Sequence, residues 1–289
     1  MDRTKIAAGL TLTLLLYGCS RRTNLVVGSK NFSEQLVLGK IMAQQLERKL
    51  AQKVERKLNL GGTLLAQQAL INGEIDVYPE YTGTALTAIL KRDPLQDPAR
   101  VLAEVREEYR KRWRLDWLTP FGFNNSFAIV IRGEDARRAK LRTLSDAARH
   151  KTDWIMGAGY EFLERPDGFN GLIKTYGLKI KGRLHTMDLG LLYQAIQQRQ
   201  VDMIAASGTD GMLSVLDVTV LQDERRYFPP YEAAAVVRQE ALSAHPGMRE
   251  ALEQLAGKLD DRTMQKLNYE LDGKHRPLAQ IASDFLKGL

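Results

Sequence analysis

Short apolar runs alternate with amphipathic helical patterns along most of the chain. Leu25 to Gly28 predicts a buried strand that ends in glycine, and the spacing of apolar residues from Leu36 to Leu50 predicts a helix. Val54 to Leu60 predicts a second strand, and Ile75 to Tyr78 predicts a third strand that breaks at Pro79. Two strand–helix units followed by a strand indicate a parallel sheet with loops at its carboxyl edge.

The same alternation returns in the second half of the chain. Five more strands are predicted, at Phe127 to Ile131, Trp154 to Ala158, Lys179 to Leu184, Val201 to Ala206 and Val218 to Leu221. Helical patterns separate most of them, and helices finish the chain. This order predicts two α/β lobes of similar build, with the chain crossing between them twice. No repeat is visible in the sequence itself, so the similarity is architectural.

The first residues have the pattern of an export signal. Arg3 and Lys5 precede an apolar stretch from Ile6 to Leu16 that is too short to be a convincing transmembrane helix. Leu16 to Cys19 then resembles a bacterial lipoprotein lipobox, which implies cleavage before Cys19 and lipidation of its thiol. We therefore expect residues 1–18 to be a signal peptide and the mature chain to be anchored to the bacterial membrane, in the periplasm or at the cell surface. An ordinary secretory signal and a buried N-terminal helix are the alternatives.

Composition and the absence of certain motifs exclude several kinds of functional site. The chain has 289 residues, a net charge of +7 and one cysteine, Cys19, which excludes an internal disulfide and a cysteine-based zinc cluster. The four histidines are scattered, and no metalloprotease, nucleophile-elbow or Walker A pattern occurs. We expect no catalytic residues, no metal and no cofactor. The basic run Arg110 to Arg114 follows glutamates at a predicted helix end, so a solvated helix end is favoured over a nucleic-acid site.

Polar and aromatic residues follow the ends of the predicted strands in both halves of the chain. They are Lys30, Tyr81, Thr84, Asn125, Phe127, Arg165, Ser207, Thr209 and Tyr231. If the two lobes face each other, these side chains converge on one cleft. Aromatic rings attract a quaternary ammonium by about 1–2 kcal/mol per ring when dry, and an arginine suits a carboxylate. The set therefore points to a zwitterionic ligand; for the stretch Gly73 to Thr84 alone, a plain turn is an equal alternative.

Five segments together resemble the osmoprotectant-type substrate-binding proteins of ABC importers, which bind glycine betaine, choline, carnitine or related compounds. They are Gly28 to Gln35, Gly73 to Thr84, Gly122 to Asn125, Thr209 to Gly211 and Phe228 to Tyr231. The resemblance implies a two-lobed periplasmic-binding-protein (type II) clamshell, each lobe a mainly parallel sheet flanked by helices. Residues 19–124 and 228–289 would form one lobe and residues 125–227 the other. The partners implied are an inner-membrane permease and its ATPase.

The resemblance also implies roles for the cleft residues. Tyr81 and Tyr231 would be walls of an aromatic cage for the cation, whereas Lys30, Thr84 and Arg165 would hold the carboxylate. Asn125, Phe127 and Thr209 match further positions of the family's site. Ser207 is the main departure, because family members with a full cage usually carry a tyrosine there. Tyr160 and Phe162 are candidates to replace the lost ring.

We therefore expect a lipid-anchored solute-binding protein that works by closing its cleft and catalyses no reaction. Two alternatives remain on the residues themselves. One is a ligand-sensing module that signals to a membrane partner. The other is an importer component for a bulkier ligand, for which the missing ring at Ser207 leaves room. An enzyme on the same fold would need a reactive cysteine or an acid–base pair in the cleft, and none is visible.

Overall fold

The computed structural model of the chain describes residues 24–289. The predicted signal peptide and Cys19 lie outside the described residues. Ten strands occur in this part of the chain: β1 Leu25–Gly28, β2 Val54–Lys57, β3 Val77–Tyr81, β4 Leu115–Trp117, β5 Phe127–Arg132, β6 Met156–Ala158, β7 His185–Thr186, β8 Met203–Ser207, β9 Val218–Leu221 and β10 Ala233–Arg238.

Helices connect and cover the strands. They are α1 Ser33–Leu50, α2 Thr63–Ile71, α3 Thr82–Thr84, α4 Pro98–Trp113, α5 Gly133–Ala139, α6 Leu144–Arg149, α7 Tyr160–Glu164, α8 Phe169–Tyr176, α9 Leu192–Gln197, α10 Gln239–Ala244, α11 Met248–Glu253, α12 Asp261–Asp272 and α13 Leu278–Lys287. A π-helical turn follows α3 at Ala85–Ile89, and 3-10 turns lie at Leu189–Leu191 and Gly211–Ser214. Among the described residues, no helix is both long and apolar enough to cross a membrane.

The strands form two five-stranded sheets, one in each lobe. The first has the order β2-β1-β3-β10-β4, and the second has the order β7-β6-β8-β5-β9. In the first sheet only β10 runs against its neighbours, and in the second only β5 does. Each sheet is therefore mainly parallel, as the sequence predicts. Because β10 joins the first sheet late in the chain, the first lobe contains segments from both ends of the described residues.

Two strand predictions are wrong in detail. The third strand does not break at Pro79 but runs through it to Tyr81. Strand β1 pairs with β3 only at Val77, so Pro79 has a ladder neighbour on one side only, where its missing N–H group is tolerated. The predicted strand from Lys179 to Leu184 is reduced to a single bridge between Ile180 and Trp154, and β7 begins at His185 instead.

The start of α1 has no side-chain cap. Phe32 occupies the cap position, and neither of its neighbours Asn31 and Ser33 bonds to the free N–H groups of the first turn. The Ser33 hydroxyl instead donates to Asp272 in the last turn of α12, at 2.5 Å. Helix α1 also contacts α11, α12 and α13. This packing ties the residues that follow β1 to the C-terminal helices of the same lobe.

Candidate functional site

A cavity of about 520 Å³ lies where the carboxyl ends of the two sheets meet. Its walls include eight of the nine residues predicted from strand ends: Lys30, Tyr81, Thr84, Asn125, Phe127, Arg165, Ser207 and Tyr231. The ninth, Thr209, is buried and is not among the residues that line the cavity. Phe32, Tyr160, Glu161, Phe162, Met187, Asp188 and Leu189 complete much of the wall. Topology thus brings together side chains that are far apart in sequence.

Lys30 follows β1 and is buried against a carboxylate. Its ammonium group lies 2.6 Å from Oε1 of Glu80, which is itself completely buried, and 3.1 Å from Oγ1 of Thr63. Glu80 also accepts from the backbone N–H of Tyr81 at 2.7 Å and from the Tyr78 hydroxyl at 2.9 Å. A buried ion pair is tolerated when further hydrogen bonds satisfy both partners. Two of the three Lys30 protons are therefore committed, and one remains for the cavity.

Arg165 is held by a second buried carboxylate. Its guanidinium donates to Asp167 at 2.9 and 2.6 Å in a two-point contact. It also donates to Oγ1 of Thr84 at 3.0 Å and to the hydroxyl of Tyr231 at 3.2 Å, and that hydroxyl donates to Asp167. Thr84 belongs to the first lobe and Arg165 follows α7 of the second lobe. Arg165 therefore connects the lobes beside the cavity.

Glu34, which the sequence analysis did not single out, is a buried centre of hydrogen bonds. Its Oε1 accepts from the Tyr81 hydroxyl and from the Asn125 amide, each at 2.7 Å. Its Oε2 accepts from the Asn268 amide at 3.0 Å and from the Thr209 hydroxyl. Burial raises the pKa of Glu34, although the four donated hydrogen bonds act in the opposite direction. Glu34 thus joins two cavity residues to α12 and to the second lobe.

Ser207 closes one end of this network. Its hydroxyl donates to the side-chain oxygen of Asn125 and lies 2.9 Å from Oγ1 of Thr209. The hydroxyl is therefore bonded within the wall, and Ser207 lines the cavity without contributing a ring. The Thr209 hydroxyl donates to Glu34, and the Thr209 backbone carbonyl accepts from the Asn268 amide at 2.9 Å. Its position supports the wall from behind.

Aromatic rings enclose the cavity from several sides. Phe32 stacks on Tyr81 with ring centres 6.2 Å apart, and Phe127 meets Tyr231 edge-to-face at 5.7 Å. Phe162 is buried against Phe127 at 4.8 Å, so it supports the wall. Tyr160 is 60% exposed and lines the cavity from the second lobe. Of the two candidates for the lost ring, Tyr160 is thus the one with a largely exposed side chain.

Protein cations already lie over both rings expected to form the cage. The Lys30 ammonium is 5.0 Å from the ring centre of Tyr81, and the Arg165 guanidinium is 5.3 Å from that of Tyr231. Arg165 is also 5.4 Å from the ring centre of Phe127. Burial raises the pKa values of Tyr81 and Tyr231 well above the usual range, so both hydroxyls stay protonated donors.

Acidic residues were the main omission of the sequence analysis. Glu80 precedes Tyr81 directly, Asp167 follows Arg165 by two residues and Glu34 follows Lys30 by four, so closeness in sequence to predicted site residues was the available signal. In residues 24–289, no group of three or more histidine, cysteine, aspartate or glutamate side chains is placed to hold a metal ion. The charged and aromatic side chains that line the cavity can bind a charged small molecule.

The known proteins that this chain resembles are substrate-binding proteins of transport systems. Residues 23–288 match the model of the OpuAC family, the substrate-binding domain of ABC-type glycine betaine transport systems. The chain is 31% identical to a carnitine transport binding protein of Listeria monocytogenes, over 96% of this chain and 93% of that one. It is 34% identical to a glycine-betaine-binding protein of Pseudomonas aeruginosa, over 95% and 90% of the two chains.

A third relative is larger than this chain. It is an ergothioneine transport permease/ergothioneine binding protein of Helicobacter pylori, 36% identical over 92% of this chain and 47% of its own length. Among solved structures, a glycine betaine/carnitine/choline ABC transporter protein superposes with a TM-score of 0.78 at 32% identity, covering 92% and 98% of the two chains. These neighbours confirm the type II periplasmic-binding-protein fold.

Proposed function

This chain belongs to the family of substrate-binding domains of ABC-type glycine betaine transport systems, and we propose that it captures a betaine larger than glycine betaine. The family binds solutes, is not enzymatic and works with an ABC permease. One observation carries the proposal: Lys30 and Arg165 lie among the rings of Tyr81, Tyr231 and Phe127 around one cavity. Cations and rings together suit a carboxylate joined to a quaternary ammonium.

The size of the cavity supports a larger ligand. A volume of about 520 Å³ lies within the usual range for small-molecule sites and leaves room for ligands larger than glycine betaine. Ser207, which contributes no ring, and the exposed Tyr160 both line the cavity. Relatives named for carnitine and for ergothioneine, both larger than glycine betaine, are consistent with this proposal.

We further propose that closure of the two lobes traps the ligand. The backbone N–H of Thr63, at the start of α2 in the first lobe, donates to Glu161 of the second lobe at 3.2 Å. Together with the contact between Arg165 and Thr84, it bridges the cleft. Release would break such contacts and open the cavity to the permease. An ATPase partner and a lipid anchor at Cys19 complete the proposed importer.

Isothermal titration calorimetry on the mature chain tests the ligand class. We expect carnitine and other extended trimethylammonium carboxylates to bind, and glycine betaine to bind more weakly. Choline tests whether a carboxylate is required, because it carries the cation alone. If none of these compounds gives a heat of binding, the betaine proposal is overturned. If glycine betaine binds most tightly, the proposal that the ligand is larger than glycine betaine is overturned.

A further inference from the structure

Helix α2 of the first lobe begins at a residue that cannot cap it. The cap position is held by Gly62, which has no side chain, and the first turn contains no acidic residue. Thr63, the first helical residue, has a hydroxyl, but that hydroxyl accepts from the Lys30 ammonium at 3.1 Å. The first N–H groups of a helix lack partners within the helix, and this end carries a partial positive charge. An acceptor from outside the helix therefore stabilises its first turn.

The second lobe supplies such an acceptor. Glu161 of α7 places its Oε1 atom 3.2 Å from the backbone nitrogen of Thr63, which donates to it. Among the described residues this is the one hydrogen bond that the Glu161 side chain makes. A Cβ atom added to Gly62 would lie 2.6 Å from the same oxygen. The glycine at the cap position thus leaves room for the carboxylate to approach the start of the helix.

This contact lies at the edge of the cavity. Gly62 and Glu161 both line the cavity, and Glu161 is also exposed to solvent. Thr63 is bonded to both lobes, because its hydroxyl accepts from Lys30 and its N–H donates to Glu161. Lys30 is itself part of the cavity wall. One residue, Thr63, therefore connects a ligand-facing side chain of the first lobe to the carboxylate of the second.

A cap from the opposite lobe is present only while the lobes are closed. When the lobes separate, the N–H of Thr63 exchanges Glu161 for water, and Gly62 offers no side chain in its place. Loss of a cap shifts the balance between an ordered and a frayed first turn by several-fold. Closure of the cleft and order in the first turn of α2 are therefore coupled, and each favours the other.

We propose that Glu161 is a positioning residue for ligand capture, which caps α2 across the cleft, favours the closed lobes and slows release of the ligand. Its effect is exerted through the first turn of α2. This inference rests on the proposed closure of the lobes around a ligand and assigns part of the stability of the closed state to one side chain. It also explains the glycine at position 62, since a residue able to cap α2 within the first lobe would make the cap independent of closure.

Affinity and release rate test the inference. The probe is whichever of carnitine, glycine betaine and choline binds the unchanged chain most tightly in calorimetry, and its dissociation rate is measured by displacement of the radiolabelled compound. We expect Glu161→Ala to weaken binding by about fivefold, the scale of a lost helix cap, mainly through faster dissociation. Glu164→Ala is the matched control, because Glu164 is exposed at the end of the same helix and is not part of the cavity wall. It should change neither quantity, and thermal unfolding checks that each variant is folded.

Gly62→Ser distinguishes a helix cap from an ordinary contact between lobes. Gly62 already has the extended backbone of a cap residue, with φ −77° and ψ −176°, so a serine hydroxyl at this position can cap α2 within the first lobe. Binding should then weaken about as much as in Glu161→Ala, and the double variant should bind no more weakly than either single variant.

Hydrogen exchange of the first-turn amides of α2 gives a second readout. The probe should slow this exchange in the unchanged chain and leave it unchanged in Glu161→Ala. In Gly62→Ser the exchange should be slow with or without the probe, because the cap no longer depends on closure.

Three results overturn the inference and leave the proposed function in place. They are equal affinity of Glu161→Ala and Glu164→Ala, additive losses of affinity in the double variant, and slowing of exchange by the probe that persists in Glu161→Ala. Absence of binding by all three compounds overturns the proposed function itself, and this inference with it.

Discussion

The two walls of the cleft are built differently. On the first lobe, Lys30 and Tyr81 each have a buried carboxylate as partner, Glu80 and Glu34 respectively. On the second lobe, Asp188 has no partner among the described residues and Tyr160 is 60% exposed. The first wall is fixed before a ligand arrives, whereas the second can still be satisfied by one. The difference suggests that the first wall recognises what all ligands of the family share and that the second wall selects among them.

The free-energy penalty of burying an unpaired charge explains why the charged residues of the first wall all have hydrogen-bond or ion-pair partners. A buried charge without partners destabilises a fold by several kcal/mol, so deeply buried lysine, arginine and glutamate side chains need partners in the folded chain itself. Asp188 and Tyr160 stay partly in contact with water and carry no such requirement. Specificity can therefore change at the second wall without loss of the fold.

The largest effect on stability and affinity should come from replacing Arg165, because its side chain contacts both lobes. Arg165→Ala leaves the completely buried Asp167 without its cation, and removing one member of a buried pair costs about 3–5 kcal/mol. We expect the free energy of unfolding, measured with urea, to fall by this amount and ligand affinity to fall with it. Arg165→Ala combined with Asp167→Asn should recover part of the stability but not the affinity.

Arg183→Ala is the matched control, since Arg183 is exposed on the same lobe. Its unfolding curve should overlap that of the unchanged chain. An Arg165→Ala variant that is equally stable would show that Asp167 gains another partner or water, and that the connection between the lobes is weaker than its geometry indicates.

Glu34→Gln should have the next largest effect and tests whether the first wall is fixed in advance. The glutamine amide group would face donors from Tyr81, Asn125, Thr209 or Asn268, so at least one buried donor loses its acceptor. We expect a loss of about 2–3 kcal/mol in the free energy of unfolding.

Ligand affinity should also fall in this variant, because Tyr81 and Asn125 line the cavity. Glu107→Gln, on the exposed face of α4, serves as the control and should change neither quantity. Unchanged affinity in Glu34→Gln would mean that the hydroxyl of Tyr81 does not need this acceptor for the ring to be placed.

The smallest effect concerns Asp210, which lies behind the second wall and follows Thr209. Burial, the largest cause, raises its pKa from 3.8 to about 6. The folded chain then holds this proton to higher pH than the unfolded chain, so the contribution of Asp210 to the free energy of unfolding falls as pH rises from about 4 to about 6. Asp210→Asn should remove that slope and stabilise the chain by about 1 kcal/mol at pH 7.

The difference between the two unfolding curves across this pH range isolates the residue from other titrating groups. Asparagine can still accept from the backbone N–H of Met212, as Asp210 does at 2.9 Å, so the start of the following 3-10 turn is kept. A variant that is less stable than the unchanged chain at pH 7 would contradict the direction of the shift.

The sequence alone predicted much of the fold because its signals are local. Short apolar runs indicated the positions of most strands, and residues near their ends identified eight side chains that line one cavity. Pro79 was misjudged because a proline breaks a strand only where a neighbouring strand needs its N–H, and sheet order decides that. The strand predicted from Lys179 to Leu184 was wrong for a similar reason. How far this segment pairs with its neighbour depends on its place in the second sheet, and it forms only one bridge, between Ile180 and Trp154.

Tertiary structure alone decided which charges in the cleft are free. Lys30 and Arg165 look equally available in the sequence, but Glu80 and Asp167 occupy them in the fold. Glu34 gains its role only because Tyr81, Asn125, Thr209 and Asn268 meet around it from distant parts of the chain. Asp188 lines the cavity without a side-chain partner because no described element brings it a donor. Whether a charge is satisfied depends on neighbours across the fold, and a local pattern carries no record of them.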